Sequence, residues 1–302
     1  VPENRRGLLF GIAAYGLWGA FPLYWPLLEP SGPVEILAHR VVWSLLTMAL
    51  LVLVLRRGRQ FRAILRDRRT TLLLVVAAGT ITLNWGTYIF GVNTGRVVET
   101  SLGYFINPLV TVLMGVLILQ EKLRRLQWVA LAIGMVAVVV LTLDYGRLPY
   151  VALVLAFSFG TYGLAKKTAD VGAVESLAFE TTVAAPVALG YLVWLGAAGQ
   201  AHFAGEGWAH VLLLASSGVV TAVPLLCFGA AATRIPMTSL GLLQYLTPTI
   251  QFVLGITLLG EHMPPERWIG FGLVWLALTV FTVEAFAHRR RQLALIAEST
   301  AV

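Results

Sequence analysis

The chain has 302 residues, 58% of them apolar or aromatic and 12% charged, with a mean hydropathy of +0.81. A soluble domain carries about 25% charged residues. Too little polar surface remains to cover a water-soluble globule, which excludes a soluble enzyme, a disordered chain and a fibre and leaves a membrane-embedded protein. The net charge of +7 does not indicate a nucleic-acid partner, because the bases cluster between apolar runs without interleaved aromatics or a nucleic-acid module.

Apolar runs bounded by charge, Pro and Gly predict an all-α membrane protein of ten spans, at about 7–25, 33–55, 70–93, 97–119, 126–143, 149–167, 173–196, 208–232, 236–259 and 266–286, each near the ~20 residues a bilayer requires. Helices are expected because lipid leaves every backbone amide to be satisfied within its own segment. The alternation of a membrane barrel is absent.

The first run is too long for a removable signal peptide and is read as a retained span. It carries Tyr15 and Trp18, with Tyr24 and Trp25 as interface anchors. In the second span Glu35 and His39 are i, i+4 neighbours, followed by Arg40 and Trp43. Arg40 lies roughly 10 Å from the end at which the span begins. The Arg-rich segment 56–69 reads as a solvated loop and topology anchor. The third span carries Asn84, Trp85 and Tyr88, and the fourth carries Glu99, Tyr104, Asn107, Pro108 and Thr111. The sixth holds Tyr162, the seventh Glu180 and a solvated Glu175, and the eighth the single cysteine, Cys227. The ninth holds Gln244, Tyr245, Thr247, Pro248 and Gln251.

Lys and Arg orient the bundle. With the N-terminus in the cytoplasm, eighteen of them fall on inner segments, and three (Arg96, Arg147 and Arg267) fall on outer ones. Arg40 lies within a span. This split predicts both termini inside. The chain also repeats itself. VEILA at 34–38 returns as VESLA at 174–178, and Pro108, Gly115, Glu121 and Trp128 return as Pro248, Gly255, Glu261 and Trp268. Two five-helix halves, residues 1–145 and 146–288, with a cytoplasmic tail 289–302, are expected. Five is odd, so the halves insert upside down relative to one another, as in secondary transporters with a midplane site.

AHRVVWS at 38–44, NWGTYIFGVN at 84–93, ETSLGYFINPLVTVLMG at 99–115 and GLLQYLTPTIQFVLG at 241–255 resemble the RarD family. That is an EamA-type branch of the drug/metabolite transporter superfamily, linked by name to chloramphenicol sensitivity. The likeness runs from about Gly7 to Phe286. It implies a multi-pass permease of the bacterial inner membrane, and related transporters imply export of small metabolites.

Charges inside a bilayer are costly, so each is a candidate for gating or binding. An Arg40–Glu99 pair is geometrically feasible, as a gate or as a structural tether. Arg40 and Glu180 occupy equivalent sites in opposite halves. They would hold the two ends of a zwitterion, pair alternately as gates, or form a static ion pair. Tyr104, Asn107 and Thr111 form a polar stripe matched by Gln244, Thr247 and Gln251. Such stripes avoid lipid, and a shared cavity is favoured over interhelical hydrogen bonds worth ~0.6–2 kcal/mol each. Pro108 and Pro248 are candidate hinges. Trp18, Trp43, Trp85, Tyr88 and Tyr162 would stack on substrate or form bundle core, and Asn84 and His39 extend the polar face.

No HExxH, GxxxxGK[ST] or GxSxG motif is present. No enzyme activity, cofactor or metal is therefore expected, and transport would draw on proton coupling or exchange, or run downhill. The reading is a secondary-active permease for a small polar metabolite or drug-like molecule, working by alternating access. A channel or facilitative pore and a non-transporting sensor are the rivals, and the oligomeric state stays open.

Overall fold

The computed structural model describes residues 3–120, 123–232, 234–235 and 243–300. Among the described residues there are helices and turns but no strand. Helix α1, Glu3–Gly19, is followed by α2, Phe21–Tyr24, and a 3-10 turn, Trp25–Leu28. Pro22 and Pro26 each stand in the first turn of one of these short pieces, where a missing N–H costs nothing. Two helix starts within six residues break the span, and Arg5–Gly19 meets Phe21–Leu28 at 43°. The remaining helices are α3 Pro33–Val54, α4 Gly58–Arg66, α5 Arg68–Asn93, α6 Val97–Leu119, α7 Arg125–Tyr145, α8 Tyr150–Ala169, α9 Ala173–Ala197, α10 Trp208–Ala232, α11 Leu246–Thr257 and α12 Pro265–Thr300.

Among the described residues seven helices are long and apolar enough to cross a bilayer, eight if the bent first pair is counted as one span. Two shorter apolar helices, Tyr150–Lys166 within α8 and Leu246–Thr257, fall where the sixth and ninth spans are predicted. The chain is thus a multi-pass membrane protein. Two details differ from the sequence reading, and one part of it lies outside the described residues. Segment 56–69 is largely helical, because Phe61 packs against Phe179 and Ile64 is buried. The last helix continues to Thr300, so residues 289–300 extend it rather than start a separate tail. The first seven residues of the predicted ninth span, 236–242, and Glu121 of the repeat lie outside the described residues.

The helices pair across the chain. α7 packs along α12, α3 along α9 and α6 on α11. α5 packs on α8 and α9, α10 on α1 and α3, α8 on α6, and α1 on α11. One core lies among α6, α7, α11 and α12, where Phe252 and Phe271 stack at 4.7 Å and Leu141 and Leu102 are fully buried. A second surrounds Trp25, Leu28, Ile36, Ile89, Leu155 and Leu214.

Polar clamps fix the ends. Arg267 Nε bonds Asp144 Oδ2 at 2.8 Å, and Arg124 Nη2 bonds Glu284 Oε2 at 2.8 Å, so α7 and α12 are tied at both ends. Glu261 accepts the N–H groups of Val97 and Val98, the latter at 2.9 Å, capping the positive end of α6.

Close helix approach depends on glycine. A Cβ on Gly218 of α10 would stand 2.3 Å from the Trp43 carbonyl oxygen of α3, whereas one on Gly79 would meet nothing within 4 Å. Gly218→Val is therefore expected to lose about 1–3 kcal/mol or more through forced separation of α3 and α10. Gly79→Ala should melt at or slightly above wild type. Thermal unfolding of detergent-purified protein checks both, and equal melting of the two variants would refute the close contact.

Candidate functional site

Arg40 stands two turns into α3, and only 3% of it is exposed. Its Nε donates to Thr221 Oγ1 on α10 at 3.1 Å. Aromatic rings form its walls: the guanidinium carbon lies 4.0 Å from the ring centroid of Trp85, 4.9 Å from Trp25 and 5.8 Å from Phe21. The hydroxyls of Tyr24, Tyr88 and Tyr104 are within electrostatic range. Among the described residues no carboxylate pairs with Arg40. Ring contacts contribute about 0.5–2 kcal/mol each. The effective penalty for burying an ion is several kcal/mol, so the walls offset only part of it.

The nearby polar groups fall into two sets. Tyr104 donates to Asn84 Oδ1 at 3.2 Å, and Asn84 Nδ2 donates to the Leu155 carbonyl and to Ser158, each at 3.1 Å. Tyr24 donates to the Leu213 carbonyl at 2.7 Å and shares a bond with Ser216. Trp25 Nε1 and the Tyr88 hydroxyl, in contrast, are buried with no partner among the described residues.

The expected Arg40–Glu99 pair does not form. Glu99 instead pairs with Arg147 Nη2 at 2.9 Å and accepts the Val151 N–H at 3.1 Å, because Arg147 lies at the same end of the bundle and reaches it from a loop. Nor do Arg40 and Glu180 face each other as two free charges. Glu180 on α9 pairs with Lys166 Nζ at 2.9 Å and accepts from the Tyr162 hydroxyl at 3.2 Å. Glu175, expected to be solvated, is buried against Arg57 at 3.2 Å. Trp25, expected at the interface, is fully buried, because the break after Gly19 turns its ring inward.

Trp85 separates the two charged places. Its ring meets Arg40, and the same residue lines a narrow cleft with Val41, Ile81, Glu180 and Ala184 that has no room for the centre of a water molecule. At the end where α3 begins, Glu35 accepts the His202 N–H and meets its Nδ1, both at 2.8 Å. His39 stacks on Phe203 at 4.7 Å, with Trp43 at 6.3 Å from the same ring. His39 Nε2 and Trp43 Nε1 find no partner among the described residues. A cavity of about 380 Å³ opens beside Glu35 and His202, with Gly32, Tyr191, Leu195 and Gln200 in its wall.

The two polar stripes face protein but do not line one shared cavity. Asn107 Nδ2 donates to the Ala156 carbonyl of α8 at 3.1 Å, with Thr111 on its Oδ1 at 3.4 Å. Thr247 and Gln251 donate to the Tyr15 and Trp18 carbonyls of α1, at 2.8 and 3.2 Å. Interhelical hydrogen bonds hold Asn107, Thr247 and Gln251 Nε2, while Gln251 Oε1 is buried without a partner among the described residues. Gln244 lies half-buried in the turn before α11. Pro108 is inside α6, but Pro248 sits in the first turn of α11, where it is tolerated and does not kink a continuous helix. Trp18 packs edge-on to Tyr15 at 5.5 Å and beside Phe228 at 5.9 Å, as bundle core.

Sequence reasoning missed Trp25, Phe21, Thr221, Lys166, Arg147, His202 and Phe203. The one local signal was FPLYWP at 21–26, whose spaced prolines mark a broken span. Among the described residues no group of three or more His, Cys, Asp or Glu side chains is arranged to hold a metal ion.

The model of the EamA-like transporter family matches residues 5–143 and again 149–283. The chain is 57% identical over 289 residues to protein RarD of Streptomyces exfoliatus, covering 96% of this chain and 92% of the other. It is 42% identical to the uncharacterized transporter YojE of Bacillus subtilis, covering 95% of this chain and 97% of the other. A crystal structure at 18% identity superposes with a TM-score of 0.59 over 92% of this chain and 98% of the other, a likeness of fold.

Lys166→Met is expected to strand the Glu180 carboxylate and cost about 3 kcal/mol, at the low end because Lys166 is partly exposed. The double variant Lys166→Met/Glu180→Gln should recover most of that loss. Denaturant or thermal unfolding of the four proteins checks this, and simple additivity of the two changes would show that the pair is not coupled.

Proposed function

The chain belongs to the EamA-like transporter family, in its RarD branch, and from that premise we propose that it is a secondary carrier working by alternating access. It moves a small polar metabolite or drug-like molecule across the bacterial inner membrane through ten spans. These form two inverted halves, 1–145 and 146–288, with both termini cytoplasmic. Export is the direction favoured by the resemblance to exporters of small metabolites.

Helix pairing supports the two halves. Advancing each helix by five spans carries the α5–α8 contact onto α10–α1, the α6–α8 contact onto α11–α1 and the α3–α10 contact onto α9–α5. The pairs α3–α9, α6–α11 and α7–α12 map onto themselves. This exchange is what a two-fold relation between inverted repeats requires.

The observation that carries the reading is a buried Arg40 with aromatic walls and no carboxylate partner among the described residues, set against Trp85. A structural cation in the core would have its own acid, and a binding cation waits for its ligand. Arg40 is the binding group, with Trp85, Tyr88, Tyr104 and Asn84 around it. The cavity beside Glu35 is the outer vestibule, and the His202–Phe203 loop on Glu35 and His39 is its cover. Below Trp85, Glu180 with Lys166 and Tyr162 is the coupling site, exchanging its proton or its partner as the carrier turns over. The cleft at Trp85 has no room for a water centre, which favours a carrier over an open pore.

Two tests follow. A reporter fused after Arg62 or Arg291 should read cytoplasmic, and one at Gln200 external; an external reading at Arg62 ends the ten-span model. In proteoliposomes screened against metabolites and chloramphenicol, protein-dependent uptake of the responding solute should be lost in Arg40→Ala at near-normal melting. Unitary currents in planar bilayers, or undiminished uptake by Arg40→Ala, would overturn the carrier built on this residue.

A further inference from the structure

Resting on the carrier reading above, we propose that the Arg40 chamber binds the carboxylate of a planar, apolar organic anion, and that the solute carried is a net anion rather than a zwitterion. The unmet groups around Arg40 are mostly donors, with the Tyr88 hydroxyl able to donate or accept. Among the described residues the guanidinium makes one hydrogen bond, from Nε to Thr221, which leaves its two terminal nitrogens free for a ligand. Trp25 Nε1, on a ring that faces the guanidinium, is buried and unpartnered among the described residues, as is the hydroxyl of Tyr88 in the same side-chain cluster. Arginine and the indole N–H donate only. The missing group must therefore accept several bonds at once, as a carboxylate does when it takes a guanidinium in the bidentate manner.

The walls define the rest of the ligand. Phe21, Trp25 and Trp85 present rings to the cation, and Tyr88 and Tyr104, packed in the same cluster as Trp25, meet edge-on at 5.8 Å. Such surfaces favour a flat apolar body. Nothing comparable awaits an ammonium group. The carboxylates Glu35, Glu99 and Glu180 are each held by their own base, His202, Arg147 and Lys166. The hydroxyls of Tyr24 and Tyr104 are already donated to acceptors of the protein. A zwitterion entering here would bury its cation without a partner, at high cost. The two-pole arrangement expected from Arg40 and Glu180 is thus replaced by one pole and an aromatic slot.

The test uses the purified full chain in detergent, read by thermal melting and tryptophan fluorescence. The probes are benzoate, its neutral isostere benzamide, the zwitterion phenylalanine, and inorganic phosphate. Benzoate should raise the melting temperature saturably, and the other three should do so weakly or not at all. Arg40→Gln should weaken benzoate by roughly tenfold or more, since a charged hydrogen-bonding partner is lost. Arg40→Lys should keep part of the affinity. Tyr88→Phe, which preserves shape and charge, should weaken benzoate a few-fold, so the idea stays open to refutation even if a change at Arg40 fails to fold. No stabilisation by benzoate, equal response to benzamide or phenylalanine, or unchanged affinity in Arg40→Gln or Tyr88→Phe would each overturn it. Binding is read here without flux. Benzoate that binds but is never carried sinks the carrier and keeps the anion site, and carriage of zwitterions without benzoate binding does the reverse.

Discussion

A charge withdrawn from water into a helix bundle must be compensated where it lies, and that constraint organises this molecule. Glu35 meets His202, Glu99 meets Arg147, Glu175 meets Arg57, Glu180 meets Lys166, Asp144 meets Arg267 and Glu284 meets Arg124. Each pair joins different helices or a helix to a loop, so compensation and tertiary assembly are the same event. Arg40 departs from the pattern among the described residues. It receives a hydroxyl and aromatic faces instead of an acid.

The ion pairs also divide the bundle into a frame and a working centre. α12 is tied to both ends of α7, and α6 and α11 pack on α12 through the Phe105, Phe252, Phe271 and Trp275 rings. The polar centre lies elsewhere, where α3, α5, α9 and α10 converge on Arg40 and Glu180. Two walls of the Arg40 chamber, Phe21 and Trp25, stand on the short pieces that follow the break in the first span. Neither piece touches the α7–α12 ion pairs, which lie on other helices. The mechanical division follows from two prolines in FPLYWP and two ion pairs on the opposite side.

The polar stripes of α6 and α11 show the same economy on a smaller scale. Asn107 spans to a carbonyl of α8, and Thr247 and Gln251 span to carbonyls of α1. Asn107, whose Oδ1 also accepts from Thr111, is satisfied at both ends, whereas Gln251 uses only its Nε2 and leaves its Oε1 buried without a partner among the described residues. Asn107 and Thr247 act as bundle joints, and the unmet polar atoms of Trp25, Tyr88 and Gln251 are left over from that pattern.

The all-helical membrane class, the apolar runs, the internal repeat and the charge asymmetry were legible in the sequence, since hydropathy and the helical requirement of lipid act locally along the chain. Arg40, Trp85, Tyr88 and Glu180 were also legible as candidates, because a charge or a polar aromatic inside an apolar run stands out by itself. Their partners were not. Arg40 and Thr221 are 181 residues apart, Glu35 and His202 are 167 apart, and Glu99 and Arg147 are 48 apart. No local pattern tells which of several bases reaches which acid. The inward turn of Trp25, the engagement of Glu180 by Lys166 and the loss of an acid for Arg40 were decided when the helices packed, because compensation depends on distances that exist only in the assembled bundle.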